Sequence, residues 1–289
     1  MKNLLIATDF SANAKHAAEY GYELARQLKT NVILCNAFVV PAEVPQGGVL
    51  VWPQYEYEEI FDGSEGALKD LKVHLKVHLE KKNKTAGFKP GIRFISDTGT
   101  VSGVIKEITD NNDIQLIVMG THGSGKLETL ILGNHSRRMI DEAQYPLLLI
   151  PPRSNFSGVK KIAFATDFKE LQKDLEAIYS LVPMLKRLNA ELLLTHVYDE
   201  HRHTPEFKKQ LEQFLAEISN KANYPNIYYR ILQDDKAEAG LDWLCRYGDV
   251  DMLAMVHRKH SFLDKIISGS YTQKMAGHIS IPLLVIPGN

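Results

Sequence analysis

The chain has 289 residues, of which 44% are hydrophobic, 24% charged and 9% aromatic. These proportions exclude the disordered and fibrous classes, and the length favours two globular domains. Lys and Arg number 34 against 35 Asp and Glu, a formal net charge of -1, so the charge predicts neither nucleic acid nor anionic lipid as a partner.

Cysteine usage and hydropathy indicate a cytoplasmic protein. The two cysteines, Cys35 and Cys245, fit neither a disulfide framework nor a CxxC pair, which suits a reducing compartment. The amino terminus lacks the apolar core of a secretion signal. No apolar run approaches the ~18 residues that a membrane span needs, so we expect no membrane association.

The sequence repeats itself. Ile6–Phe10 is echoed by Phe164–Phe168 at an offset of 158, and Met119–Met139 aligns without a gap on Met255–Met275 at an offset of 136. A third echo, at the second offset, joins the two closing segments Tyr145–Pro151 and Ile281–Pro287. Three echoes in the same order predict a duplicated domain.

We predict domains over 1–152 and 153–289, joined by a linker around Pro151–Gly158 that is rich in Pro, Ser and Gly. The offset falls by 158 − 136 = 22, so the first half holds 22 extra residues. We expect them in Phe38–Tyr57, a segment rich in Pro, Gly and aromatic residues that would form a lid or an interface patch, or a loop covering the other domain.

Strands and helices alternate in each half, as in an α/β fold. Ser11 is a good helix cap, and apolar runs without alternation indicate strands buried on both faces. In the first half the predicted strands are Asn3–Ala7, Val32–Ala37, Ile92–Ser96, Ile114–Met119 and Leu147–Ile150, and the predicted helices follow Ser11 or cover Glu58 to about Lys82, Val101 to about Thr109 and Ser136–Ala143. The pattern predicts two doubly wound domains, each a parallel sheet with helices on both faces.

A glycine-rich loop follows the fourth predicted strand and opens a helix. It runs from Gly120 to Ser136 with further glycines at Gly123, Gly125 and Gly133. Glycine lets the backbone approach a ligand, and the free N–H groups of a helix start favour an anion. The arrangement predicts a phosphate-binding loop.

Two other interpretations of this loop stay open. Gly120 to Lys126 also spells the glycines and lysine of a Walker A loop, although Leu127 stands where Ser or Thr should bind Mg²⁺. The glycines could also do no more than turn the chain.

The full spacing resembles the nucleotide-binding signature of the universal stress protein family, G-x2-G-x9-G followed by Ser or Thr. Here Gly120, Gly123 and Gly133 fit, and Asn134 takes the place of the hydroxyl residue. The resemblance occurs once in each half, and the two together span essentially the whole chain. It includes Asp9 at the end of the first strand and the closing Pro-Leu-Leu-Leu-Ile-Pro strand. It implies five-stranded sheets of order 3-2-1-4-5, with a ligand at the reversal between the first and fourth strands.

The resemblance also implies roles for residues. The carboxylate of Asp9 would face the adenosine, and Asn134 would lose a hydroxyl donor that Ser136 could supply. The implied nucleotide-binding residues are Ala7, Asp9, Ala37, Met119, Gly120, His122, Gly123, Gly133, Asn134, His135 and Ser136. ATP or a related adenine nucleotide would bind, with Mg²⁺ or Mn²⁺ held largely by its phosphates.

The second half predicts a degenerate site, because Gly120 and Gly123 become Val256 and Lys259, while Gly133 stays as Gly269. Arg258 and Lys259 could still attract an anion in another pose. The resemblance implies dimerisation through the last strand, so we expect this half to act as an intrachain dimer partner, with the closing strands Leu147–Ile150 and Leu283–Ile286 pairing within one chain, and further homodimerisation is open.

Two histidine groups are metal candidates. His74 and His78 lie four apart on a predicted helix, where an exposed charged face is the plainer interpretation. His196 to His203 form the better group, together with Asp199, Glu200 and His201, yet a polar loop at a strand end is common. No serine, histidine and aspartate arrangement resembles a hydrolase triad.

The sequence therefore predicts a stress-response regulator that binds an adenine nucleotide in its first domain and catalyses at most slow ATP hydrolysis, because no general base is evident. The alternative is an interaction module without nucleotide, acting through residues 38–57 or a sheet edge. A nucleotide-using enzyme is a third hypothesis, although no residues indicate its second substrate.

Overall fold

The computed structural model describes residues 2–40, 54–82, 87–123, 130–131, 134–142, 144–198, 205–234, 236–257 and 279–288. The chain divides into two compact units, Met1–Gly120 and Thr121–Asn289. Among the described helices, none is both long and apolar enough to cross a bilayer.

The first unit is a parallel sheet with three helices. Its elements are β1 (Asn3–Ala7), α1 (Ala12–Leu28), β2 (Asn31–Phe38), α2 (Gln54–Lys82), β3 (Ile92–Thr98), α3 (Val101–Asn111) and β4 (Ile114–Gly120). The strand order is β3-β2-β1-β4 and every pair is parallel. Leu4, Leu5 and Ile6 of β1 are fully buried, as expected for a central strand covered on both faces.

The second unit holds the remaining elements. They are β5 (His122–Gly123), β6 (Leu130–Ile131), α4 (Asn134–Glu142), β7 (Leu147–Ile150), β8 (Lys161–Ala165), α5 (Leu171–Leu188), β9 (Glu191–Tyr198), α6 (Pro205–Lys221), β10 (Ile227–Gln233), α7 (Ala237–Tyr247), β11 (Met252–His257) and β12 (Leu283–Pro287). Its main sheet has the order β10-β9-β8-β11-β12-β7. The fold is doubly wound α/β, as predicted.

The strand order agrees with the prediction in outline and differs in detail. In the second unit β10-β9-β8-β11-β12 reproduces the order 3-2-1-4-5, whereas the first unit holds four strands. The strand predicted as the fifth of the first repeat, β7, belongs to the second unit and pairs antiparallel with β12, with Leu148 opposite Leu284. The prediction that these closing strands pair within one chain is confirmed.

The local signals of the sequence are borne out at α1. Ser11 caps the helix, its Oγ accepting a hydrogen bond from Ala14 N at 3.2 Å, which satisfies one of the unpaired N–H groups of the first turn. The helix ends at Lys29 with φ 53°, and α5 ends in the same way at Asn189 with φ 52°. Matching these ends gives an offset of 160 between the two repeats.

The prediction that the 22 extra residues lie in Phe38–Tyr57 is confirmed only in part. α2 has 29 residues against 17 in α6, so the helix holds 29 − 17 = 12 of the extra residues. The connection before it, 39–53, is only nine residues longer than its counterpart 199–204 (15 − 6 = 9). A helix can lengthen by whole turns beyond the sheet without disturbing strand pairing. Residues 41–53 lie outside the described part of the chain.

Both cysteines are free and buried, and burial raises the pKa of each thiol, Cys35 and Cys245, to about 12. Because the thiolate is the reactive form, we expect neither to react with Ellman's reagent at about pH 8 in the native protein and both to react in denaturant. Rapid labelling of the native protein would contradict this prediction.

The raised pKa values of the two thiols also affect stability. Above about pH 9 the folded state binds more protons than the unfolded state, so the free energy of unfolding should fall as pH rises.

Candidate functional site

The carboxyl end of β1 is fastened to β2 just before Ala37. Thr8 N donates to Cys35 O at 2.9 Å, and the amide Nδ2 of Asn36 donates to Thr8 O at 2.8 Å. Asn36 is buried and is held in turn by Ser64 of α2, whose Oγ donates to Asn36 Oδ1 at 2.8 Å. A buried chain of hydrogen bonds therefore fixes the strand ends on which Ala7 and Ala37 lie.

A tight turn follows β1 and sets the position of Asp9. Thr8 Oγ1 accepts from Phe10 N at 3.0 Å, and Asp9 Oδ1 accepts from Ser11 N at 3.0 Å. Phe10 has φ 63°. This left-handed backbone conformation is unfavourable for any residue other than glycine. The carboxylate of Asp9 is exposed, and its Oδ2 has no hydrogen-bond donor within the described residues, so it is available to a ligand.

Gly120 ends β4 beside the first turn of α1. A Cβ built on Gly120 would lie 2.8 Å from Asn13 O and 3.3 Å from Ala14 N, closer than any side chain permits. Glycine is thus required here by the close approach of the helix, whatever binds beyond it. The sequence suggested a ligand or a turn of the chain as the reason for this glycine, and it gave no sign of the contact with α1.

The structure brings together the part of the predicted site that lies in the first unit. Ile6 pairs with Val118, so Ala7 and Met119 are next in register on neighbouring strands. The remaining predicted residues belong to the second unit or lie outside the described residues. His122 and Gly123 form β5, Asn134 and His135 open α4, Ser136 is buried in its first turn, and Gly133 is outside the described residues.

Three aromatic rings form a cluster directly after Ala37, and sequence reasoning did not single them out. Phe38 lies 5.7 Å from Tyr57 and 6.3 Å from Phe61 between ring centroids, and the two α2 rings stack at 5.9 Å with an interplanar angle of 15°. The cluster anchors the start of α2 against the end of β2. Phe38 lies on β2 and the other two rings lie on one face of α2. No sequence motif predicts a cluster that forms between a strand and a later helix.

The same strand end is filled differently in the second unit. At the offset of 160, His196 takes the place of Asn36, and its Nδ1 lies 2.9 Å from Thr166 O. The imidazole packs against Phe168 at 5.0 Å and Phe207 at 5.3 Å. Phe10, the counterpart of Phe168, is instead 37% exposed. The protein's own rings therefore occupy the second strand end.

Glycines also separate the two repeats in how α1 and α5 pack. Gly21 of α1 faces β1 and β4, where a Cβ would lie 2.8 Å from Ile6 Cδ1 and 3.3 Å from Val118 Cγ1. Its counterpart at the offset of 160 is Leu181, which is buried. Val256 replaces Gly120 and is buried as well. Two buried, larger side chains therefore stand in the second repeat where the first repeat has glycines.

The histidine groups are accounted for in part. His74 Nε2 lies 2.6 Å from Glu19 Oε1 of α1, so this histidine joins two helices, while the side chain of His78 is outside the described residues. His196 packs against Phe168 and Phe207, and residues 199–203 lie outside the described part of the chain. Among the described residues no group of three or more His, Cys, Asp or Glu side chains could hold a metal ion.

Comparison with known proteins places this fold in a family. The model of the universal stress protein family matches residues 1–151 and again residues 158–287. A universal stress protein of Methanocaldococcus jannaschii is 21% identical over 160 residues, which cover 53% of this chain and 97% of that protein.

Two solved structures are similar over nearly the whole chain. A universal stress protein from Archaeoglobus fulgidus DSM 4304 has a TM-score of 0.67 at 17% identity, covering 99% of this chain and 98% of that chain. A protein of unknown function from Pseudomonas aeruginosa PAO1 has a TM-score of 0.60 at 11% identity, covering 100% and 93%. At these identities the structural likeness concerns the fold, and the two family matches identify the chain: it belongs to the universal stress protein family and carries the family domain twice.

Proposed function

We propose that the first repeat binds ATP or a related adenine nucleotide at the carboxyl ends of β1 and β4, and that the protein acts as a cytoplasmic stress-response regulator. One observation carries the proposal. The order β2-β1-β4 places the reversal of the sheet between β1 and β4, and the G-x2-G-x9-G loop begins at the last residue of β4. Ligands of open α/β sheets bind at such a reversal.

The residues that the family resemblance implies suit the parts of a nucleotide. The exposed carboxylate of Asp9 would accept hydrogen bonds from ribose hydroxyl groups or from the adenine amine. Gly123 and Gly133 carry no side chain that would keep a ligand from the backbone, and the free N–H groups at the start of α4 would favour phosphate oxygens. Mg²⁺ or Mn²⁺ would be held largely by the phosphates, and we assign no catalytic residue.

We expect one site per chain. In the second repeat the strand end is occupied by His196, Phe168 and Phe207, and Val256 and Lys259 replace the two glycines that would adjoin a nucleotide. An intrachain pairing of the two repeats, through β7 and β12, leaves the second repeat a structural role beside the first.

Calorimetric titration of nucleotide-free protein with ATP tests the proposal. We expect a single-site isotherm and at least a ~10-fold loss of affinity in Gly123→Lys, equivalent to about 1.4 kcal/mol, because the substitution puts a long side chain where the backbone must meet the ligand. Lys259→Gly is the matched control in the second loop and should leave the stoichiometry at one.

Two results would count against the proposal. Two equivalents of ATP per chain would contradict the single site. Absence of heat at millimolar ATP would favour the alternative, an interaction module without nucleotide. Mass spectrometry of the small molecules that co-purify with the chain would distinguish ATP from ADP or AMP.

A further inference from the structure

The last strand of the second unit's sheet, β10, presents an unusual surface. Tyr228 is 52% exposed, Tyr229 57% and Ile231 36%. The corresponding strand of the first unit, β3, is mostly half-buried, and Lys72 of α2 lies 5.5 Å from the ring centroid of Phe94. The long helix α2 packs along β3, whereas the shorter α6 leaves the side chains of β10 open.

This strand lacks the usual protection of a sheet edge. It pairs with β9 in continuous register over seven residues, from Ile227 opposite Leu192 to Gln233 opposite Tyr198, with no bulge. It contains no proline and a single charge, Arg230. Edge strands of monomeric proteins are commonly blunted by bulges, prolines or several charges, so a long regular apolar edge indicates pairing with another strand.

The backbone of β10 shows which residues would pair. Asn226 O accepts from Leu192 N at 2.9 Å. In a parallel ladder alternate residues face the neighbour, so Tyr228 and Arg230 direct their backbone groups to β9. Ile227, Tyr229 and Ile231 therefore direct theirs away from it, and within the described residues no strand accepts them.

The sequence of β10 is complementary to itself in one antiparallel register. In such a pair, residues whose backbone groups point away from β9 must lie opposite residues of the same kind in the other copy. These residues alternate along the strand, so the two-fold axis passes through a residue and not between two residues. An axis at Arg230 would set two guanidinium groups side by side, and an axis at Tyr228 would bring Pro225, which has no N–H, opposite Ile231. With the axis at Tyr229, Tyr229 faces its own copy and Ile227 faces Ile231.

In that register each Arg230 lies beside Tyr228 of the other copy. Directly opposite residues point to the same face of the sheet, so the guanidinium meets the aromatic ring, a favourable cation–π pair. The single charge of the strand, which would oppose pairing with the axis at Arg230, thus supports it here. A foreign peptide would need to supply the same complement, whereas a second copy of this chain carries it by construction.

We propose that two copies of this chain associate through antiparallel pairing of their β10 strands, with the two-fold axis at Tyr229. This contact joins the exposed edges of two second repeats into one continuous sheet and does not depend on nucleotide binding. Because the contact involves one strand from each copy, the dimer forms and dissociates with protein concentration.

Light scattering after size exclusion, over a range of concentrations, tests the dimer. The measured mass should rise from the chain mass of 32.6 kDa towards twice that value. Tyr229→Lys should keep the protein monomeric at concentrations where the unmodified chain is dimeric. Tyr247→Lys, on a residue of α7 that is 67% exposed, is the matched control and should not change the mass. A monomer at all concentrations, or a dimer that survives Tyr229→Lys, would overturn the proposal.

Disulfide formation tests the register. At Tyr229 the two copies bring the same residue face to face, at the Cα separation of about 5.5 Å that a disulfide accepts. Tyr229→Cys should therefore cross-link under mild oxidation, and Tyr228→Cys, which faces Arg230, should not. The buried native thiols of Cys35 and Cys245 do not compete. Cross-linking of both variants to the same extent would refute the register.

Discussion

Gly120→Val is expected to lower the free energy of unfolding by about 3 kcal/mol, at the upper end of what overpacking a core costs. The added Cβ would lie 2.8 Å from Asn13 O, and its neighbours are backbone atoms of α1. A flexible side chain could turn aside, but the backbone of a helix start can move only if the helix moves. Urea denaturation followed by circular dichroism measures the loss.

Two variants make this prediction specific. Gly63→Ala, in α2, meets nothing within 4 Å and should stabilise the protein by about 0.5–1 kcal/mol, because alanine favours a helix. Val256→Gly removes a buried side chain at the matching position of the second repeat and should destabilise, because it leaves a cavity. If Gly120→Val unfolded at the same urea concentration as the unmodified chain, α1 would not be held against β4 as the structure has it.

Much of the fold could be predicted because its signals are local. The strands β1 and β4 are buried on both faces and read as continuous apolar runs, and Ser11 sits directly before its helix. The pairing of β7 with β12 was implied by the family resemblance, applied to the two similar closing strands of one chain. For β1, β4 and the cap at Ser11, the residues that carry the signal are neighbours in the chain.

The features that were missed depend on contacts between distant segments. The requirement for glycine at position 120 comes from Asn13, more than a hundred residues earlier. The sequence predicts His196 as a metal candidate, whereas in the structure its Nδ1 contacts Thr166 O as the Nδ2 of Asn36 contacts Thr8 O. The sequence does not reveal that these two residues are equivalent, because their side chains differ. Twelve of the extra residues lie in α2, because an offset between repeats gives the number of extra residues and not the element that holds them.

Asn36→Ala is expected to lower the free energy of unfolding by about 2–3 kcal/mol, because it leaves buried polar groups without partners. Thr8 O loses its donor at 2.8 Å, and Ser64 Oγ loses its acceptor at 2.8 Å. Ser64 Oγ also lies 2.6 Å from Ser96 Oγ, so the hydroxyl can turn to that partner and the cost stays below the sum of two orphaned groups. Equilibrium unfolding in urea measures the change.

Asn111→Ala is the matched control, because Asn111 Nδ2 also donates to a backbone carbonyl, Glu107 O, at 3.0 Å, but on an exposed helix end. Water replaces that bond, and alanine favours the helix, so this variant should be neutral or slightly stabilising. Ser64→Ala combined with Asn36→Ala should cost less than the two single changes added together, since both remove one shared bond. Additive losses would show that Asn36 and Ser64 stabilise the strand ends independently, without a shared hydrogen bond.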